Sequence, residues 1–244
     1  FIDAPFFEVD RSVAELIKFL NNSYHALKVA FTNEIGRISK NLNIDSRDLM
    51  RLFVSDEILN ISPKYFRPGF SYGGSCLPKD LLAFQAISES NNIVAPIINS
   101  ISNSNDEHDN YVYKKIINYN KKKVGVHGLS FKSGTDDLRF SPSLKLCENL
   151  VESGLNVKIF DENVTLSSIT GKNKEYLFKN VPNIRKLIID DIKEFIKGLE
   201  VVVIVHIYDN TQKILKSLND NIIILDLANN ELLSDKKGYQ GLVW

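Results

Sequence analysis

The 244-residue chain reads as an α/β protein in two parts. An all-helical region over 1–119 is followed by a Rossmann-like parallel-sheet domain over 120–244. Three observations predict this. Up to about residue 120, apolar residues recur at helical spacing, broken by one loop rich in proline and glycine. Beyond it, short apolar runs alternate with amphipathic ones at the pace of βαβ units. A hydrophobic content of 43% is enough core for one large domain or two modest ones.

The first helix spans 12–43, with Leu16, Leu20, Leu27, Phe31, Ile35 and Ile38 on one broad face. That face is too wide for one small domain, which points to a homodimer through these helices. A short helix follows in 43–56, with Asp45 or Ser46 as its N-cap. Pro63, Pro68, Gly69, Gly73, Gly74 and Pro78 make 62–78 a loop. Helix resumes at Pro78, a residue suited to a first helical position, and a long helix covers 95–120. The second part opens on the strand "KVGVHGL", followed by a loop and the helix "LKLCENLVESG". Strands "NVKIFD", "VVVIVHI" and "NIIILDL" then alternate with helices "DIKEFIKGLE" and "TQKILKSLN". A dinucleotide fingerprint needs G-x-G-x-x-G after the first strand. Gly125, Gly128 and Gly134 do not supply it, so dinucleotide binding of the usual kind is not expected there.

Charge excludes several roles. Thirty basic residues balance thirty acidic ones, leaving no nucleic-acid footprint and no basic membrane patch. No apolar run reaches the roughly 18 residues that span a bilayer, and no metal site is expected. Two cysteines cannot build a disulfide framework, so a reducing compartment, the cytoplasm, is expected. The start on "FIDAPFFEVD", without methionine, suggests a piece of a longer protein.

Cys76 lies in "YGGSCLPKD", beside the start of a helix. Free N–H groups, the helix dipole and Lys79 all favour a thiolate there, and Gly73 and Gly74 would let another molecule approach. The residue is either an activated nucleophile or a small apolar side chain in a turn. Cys147, mid-helix among aliphatic residues, reads as core. On the first helix Lys18, Asn22, His25 and Asn33 fall within an arc of roughly 80° away from the apolar stripe. This is a solvated face or the wall of a pocket for a polar ligand.

"HALKVAFTNEIG", "RPGFSYGGSCLPKDLLAF" and "GLSFKSGTDDLRFSP" together resemble the UDP-glucose/GDP-mannose dehydrogenase family over nearly the whole chain. "GTDDLR" and "RPGF" tilt the resemblance toward the GDP-mannose branch. The resemblance implies a central and a C-terminal domain without the NAD-binding one, hence a chain that does not turn over alone. The family oxidises a sugar C6 alcohol twice with NAD, through a cysteine thiohemiacetal and thioester. By resemblance Cys76 is the nucleophile, Lys18 stabilises the oxyanion, Asn22 holds water or that oxygen, and Asp80 positions Lys18 or the water. His25, Asn33, Tyr65, Arg67, Phe70, Gly73 and Lys132 are implied substrate contacts. Lys79 and Arg139 are implied NAD contacts, although Arg139 could instead form a surface ion pair with Asp136 or Asp137. Phe140 stands where the family commonly has an acid. Lys64 stands where relatives tend to carry an aromatic. Two rival readings remain: a UDP-sugar dehydrogenase, and a non-catalytic nucleotide-sugar-binding or dimerisation module.

Overall fold

The computed structural model describes residues 7–41, 43–57, 67–90, 96–164 and 184–244. Four helices come first: α1 (Arg11–Asn41), α2 (Ser46–Val54), α3 (Leu77–Ser90) and α4 (Pro96–Ile117). Asp45 caps α2 by accepting the Arg47 N–H. Helix α1 packs on α3 and α4, and their shared core is small: Ala26, Ala30, Leu81 and Ile101. Alanines on α1 let the helices approach closely. Most of the wide apolar stripe faces outward instead, with Leu16, Leu20 and Phe31 all exposed, whereas Leu27 packs against that small core. Ile35 and Ile38 carry side chains outside the described set.

The second part alternates β1 (Lys123–His127), α5 (Pro142–Glu152), β2 (Asn156–Phe160), α6 (Ile184–Leu187), α7 (Ile192–Ile196), β3 (Val201–Ile204), α8 (Thr211–Ser217), β4 (Ile223–Asp226) and β5 (Tyr239–Gly241). The strands form one parallel sheet in the order β2-β1-β3-β4-β5. Val201 and Val203 pack into the core on one face, Val202 and Ile204 into the core on the other. A sheet covered on both faces explains the uninterrupted apolar run in β3. Sequence periodicity predicts four strands and misses β5, whose three residues include Gln240 and Gly241. Helix α7 is shorter than expected: Lys197 is extended and Gly198 turns left-handed (φ 74°), redirecting the chain into β3.

Helix α4 serves both cores. Ile98 and Ile101 pack with α1 and α3, whereas Val112 and Ile116 belong to the sheet domain's core. The last residues join the halves again: Ser46 donates to the Val243 carbonyl (2.9 Å) and Lys115 to that of Leu242 (3.1 Å). Among the described residues no helix is long and apolar enough to cross a membrane.

Candidate active site

Residues 67–76, between the first two pairs of helices, carry no regular secondary structure. Their backbone groups are therefore satisfied from outside the loop. Asn33 on α1 accepts the Gly69 N–H (3.1 Å). On α4, Asn105 brackets Tyr72, accepting its N–H (3.0 Å) and donating to its carbonyl (3.1 Å). His108, fully buried, contacts the Gly69 carbonyl through Nε2 (2.7 Å). A carbonyl only accepts, so Nε2 carries the proton. The sheet domain supplies the rest. Phe70 donates its N–H to Leu227, Gly74 to Phe140, and Asn229 donates from its side chain to the Pro68 carbonyl.

The two glycines allow this docking. A Cβ on Gly74 (φ 85°) would strike the Phe131 ring, and one on Gly73 would strike the Phe140 carbonyl and Pro142. What they admit is the sheet domain's own loop, where the sequence suggests a visiting molecule. Phe140 itself is left-handed (φ 53°), an uncommon state for a bulky residue, and its carbonyl anchors Gly74 (3.2 Å).

Over this loop lies a cleft of about 610 Å³ that both halves line. Asn22 and His25 come from α1; Arg67, Phe70, Gly73 and Cys76 come from the loop; Phe131 and Lys132 come from the segment after β1. Cys76 is exposed and occupies the cap position of α3, its carbonyl accepting the Asp80 N–H (2.9 Å). Cys147 is fully buried, and burial pushes its thiol well up. Tyr72, which also lines the cleft, is pushed up to about 12 by burial and stays a neutral hydroxyl.

Behind the cleft, Asp80 is buried while the two lysines facing it are exposed. Lys18 Nζ and Lys79 Nζ each stand 3.7 Å from one of its oxygens. Asn22 donates its side-chain N–H to the oxygen shared with Lys18. An ionised carboxylate only accepts, so Asp80 dictates which end of the Asn22 amide faces it. Lys18, Asn22 and Asp80 thus form one cluster between α1 and α3, from which Asn22 lines the cleft together with Cys76.

Three expected residues stand differently. Asn33 is buried under the loop and committed to Gly69, so it supports the cleft without lining it. Arg139 forms a two-pronged pair with Asp137 (2.7 and 2.9 Å), and the Cys76 sulfur adds to the electrostatics that raise its basicity. Tyr65 lies outside the described residues, as does Lys64. Sequence reasoning misses Asn105, His108 and Asn229. The stretch "NSNDEHDN" around the first two is polar on every side, and no periodicity separates inward from outward residues there.

The chain matches two models of the UDP-glucose/GDP-mannose dehydrogenase family, the central domain over 12–107 and the UDP binding domain over 125–230. GDP-mannose 6-dehydrogenase of Pseudomonas savastanoi pv. phaseolicola is 36% identical over 100% of this chain and 56% of its own length. A crystal structure of GDP-mannose dehydrogenase from Pseudomonas aeruginosa aligns with TM-score 0.68 at 35% identity, over 100% of this chain and 56% of that one. UDP-glucose dehydrogenase from Pyrobaculum islandicum aligns with TM-score 0.82 at 27% identity, over 99% and 54%. The chain spans about half the length of the relatives it matches. With its helical part, parallel sheet and shared cleft, the chain belongs to the UDP-glucose/GDP-mannose dehydrogenase family, whose central and UDP-binding domains it carries.

Proposed function

We propose that the chain is the substrate-binding part of an NAD-dependent nucleotide-sugar 6-dehydrogenase acting on GDP-mannose. One observation carries the reading: an exposed cysteine at a helix start shares a cleft with Asn22, His25, Arg67 and Lys132, drawn from both halves. Arg67 and Lys132 suit a diphosphate. The sugar C6 then lies toward Cys76, where the carbon passes from alcohol to aldehyde, thiohemiacetal, thioester and acid. Cys76 Sγ forms the C–S bond and water breaks it. Lys18 offsets charge on the reacting oxygen, Asn22 orients that oxygen or the water, and Asp80 holds both residues. Two NAD molecules, bound in turn, would supply the hydride acceptors, one for each oxidation. Lys79 and Arg139, exposed cations beside Cys76, suit the phosphates of NAD. The relatives named as GDP-mannose enzymes favour that substrate. UDP-glucose is the second reading, favoured by the closer superposition of the Pyrobaculum enzyme. We place the protein in the cytoplasm, where a nucleophilic thiol stays reduced, and as a homodimer closed over the α1 stripe. For the chain itself we expect binding without turnover.

The test is thermal unfolding of the chain with GDP-mannose and, in parallel, with UDP-glucose. A ligand that binds the fold raises Tm by mass action. A rise with GDP-mannose alone supports the reading, and a rise with UDP-glucose alone moves it to the second. Alkylation of Cys76 at neutral pH should outrun that of Cys147 at least about a hundredfold. Equal rates would remove the nucleophile and leave a binding module.

A further inference from the structure

Lys132 and Phe131 reach the cleft from the segment after β1, and the way that segment is held differs from nucleotide-binding sheets in general. In a dinucleotide-binding domain the N–H groups after the first strand face a pyrophosphate, and an acid at the end of the second strand takes the ribose. Here Asp161 stands directly after β2 and is 4% exposed. It faces no ligand. Its Oδ2 accepts the N–H groups of Leu129 (2.6 Å) and Ser130 (3.2 Å) and the hydroxyl of Tyr208 (3.0 Å). Its Oδ1 accepts the Asn163 N–H (2.8 Å). An internal carboxylate therefore occupies the anion position of this turn. Further contacts fix the same segment: His206 Nε2 on the Ser130 carbonyl (2.8 Å), Ser141 on that of Leu129 (2.6 Å), and Ser130 Oγ on that of Lys132 (2.9 Å). Tyr208 stays a donor, because burial and the neighbouring Asp161 both raise its hydroxyl.

We propose that Asp161, oriented by Tyr208, is a positioning residue for the substrate site: it holds 128–132 in the one arrangement that delivers Lys132 and Phe131 to the cleft. The inference rests on the assignment of Lys132 to the nucleotide sugar. It deepens that assignment by naming a residue outside the cleft on which affinity depends.

Asp161→Asn is the direct variant. Both carboxylate oxygens accept, so the amide's NH₂ meets a donor either way: in the Oδ2 place it loses the Leu129 and Ser130 N–H groups, and in the Oδ1 place it loses that of Asn163 and holds the segment through a neutral, weaker acceptor. The experiment is a double-mutant cycle on this chain, with Kd for GDP-mannose measured by calorimetry, and for UDP-glucose should that be the ligand that binds. Asp161→Asn and Lys132→Ala should each weaken binding roughly tenfold. In the Lys132→Ala background, Asp161→Asn should add less than about twofold. A merely structural Asp161 would lower Tm and affinity alike in both backgrounds. Unchanged affinity in Asp161→Asn, or losses that multiply to about a hundredfold, overturns the proposal. Tyr208→Phe is the milder arm should Asp161→Asn fail to fold. Its loss of about threefold should vanish without Lys132, and a loss that persists counts against the proposal. If Lys132→Ala binds like the unmodified chain, the assignment of Lys132 falls and takes this inference with it. If only the coupling is missing, the inference falls alone.

Discussion

Helix α1 and strand β3 are both rich in apolar side chains, and the fold uses them in opposite ways. Val201, Val202, Val203 and Ile204 are all wholly buried. On α1 the large apolar residues Val13, Leu16, Ile17 and Leu20 are each about half exposed, and the buried face is built from Ala26, Ala30, Ser23, Thr32 and Asn33. In the sheet, hydrophobicity marks the core. On α1 it marks a surface left open, and the core is marked by small size. Packing at short range selects alanine, and the stripe is left for another surface to cover.

Four substitutions probe that contrast. The largest effect is expected in the sheet. Val203→Asp places a charge without a partner between two cores, and the chain should lose more than about 4 kcal/mol and show no cooperative unfolding by circular dichroism. A soluble, cooperatively folding Val203→Asp protein would contradict the two-faced burial. Second in size is a pH effect at the end of β1. Burial pushes His127 down to about 4, against about 6.5 when unfolded. Between those values the unfolded chain takes up a proton that the fold refuses, so stability should fall as pH drops from about 6.5 to about 4, by at most about 3 kcal/mol. Urea titrations at several pH values should show that decline, and His127→Gln should make it shallower. An unchanged slope in the variant would assign the dependence to other groups.

Asn105→Ala comes third. Removing the bracket around Tyr72 leaves two backbone groups short of partners, at a cost of about 1–3 kcal/mol. Nucleotide-sugar affinity should fall as well, because Tyr72 and Gly73 line the cleft. A Tm equal to that of the unmodified chain would show that water replaces the amide. The smallest change in the fold itself is expected from Leu20→Glu on the open stripe, within about 0.5 kcal/mol for the single chain. If the proposed homodimer closes over this stripe, the effect should appear in light scattering, as a dimer turned monomer. A large loss of fold stability would instead place Leu20 in an intramolecular core.

The contrast also explains what was legible in advance. The βαβ rhythm, a cap at Asp45 or Ser46 and a helix resuming at Pro78, one residue after its start at Leu77, follow from spacing and turn chemistry, whereas the meeting of Arg67 and Lys132 with Asn22, His25 and Cys76 in one cleft is what the family resemblance implies. Asn33 shows the limit of helical-wheel reasoning. Its angle on α1 is that of a cleft residue, but an angle carries no depth, and the loop above it takes its side chain. Asn105 and His108 were hidden for a related reason. A polar side chain that satisfies buried backbone looks, in sequence, the same as one that faces water. The glycines at 73 and 74 look, in sequence, like openings for a visitor, because a sequence does not say which part of the chain will come close.

Helix α4 has a mechanical consequence. Twenty-two residues make a rod about 33 Å long, anchored in the helical core at one end and in the sheet core at the other. The segment over 67–74 is riveted to both sides of the same junction. Any swing that widened the cleft by parting the two halves would bend a continuous helix and strand several backbone groups without partners. The pair is therefore built as a stiff anvil. It presents Cys76 and the cations Arg67 and Lys132 at a fixed spacing.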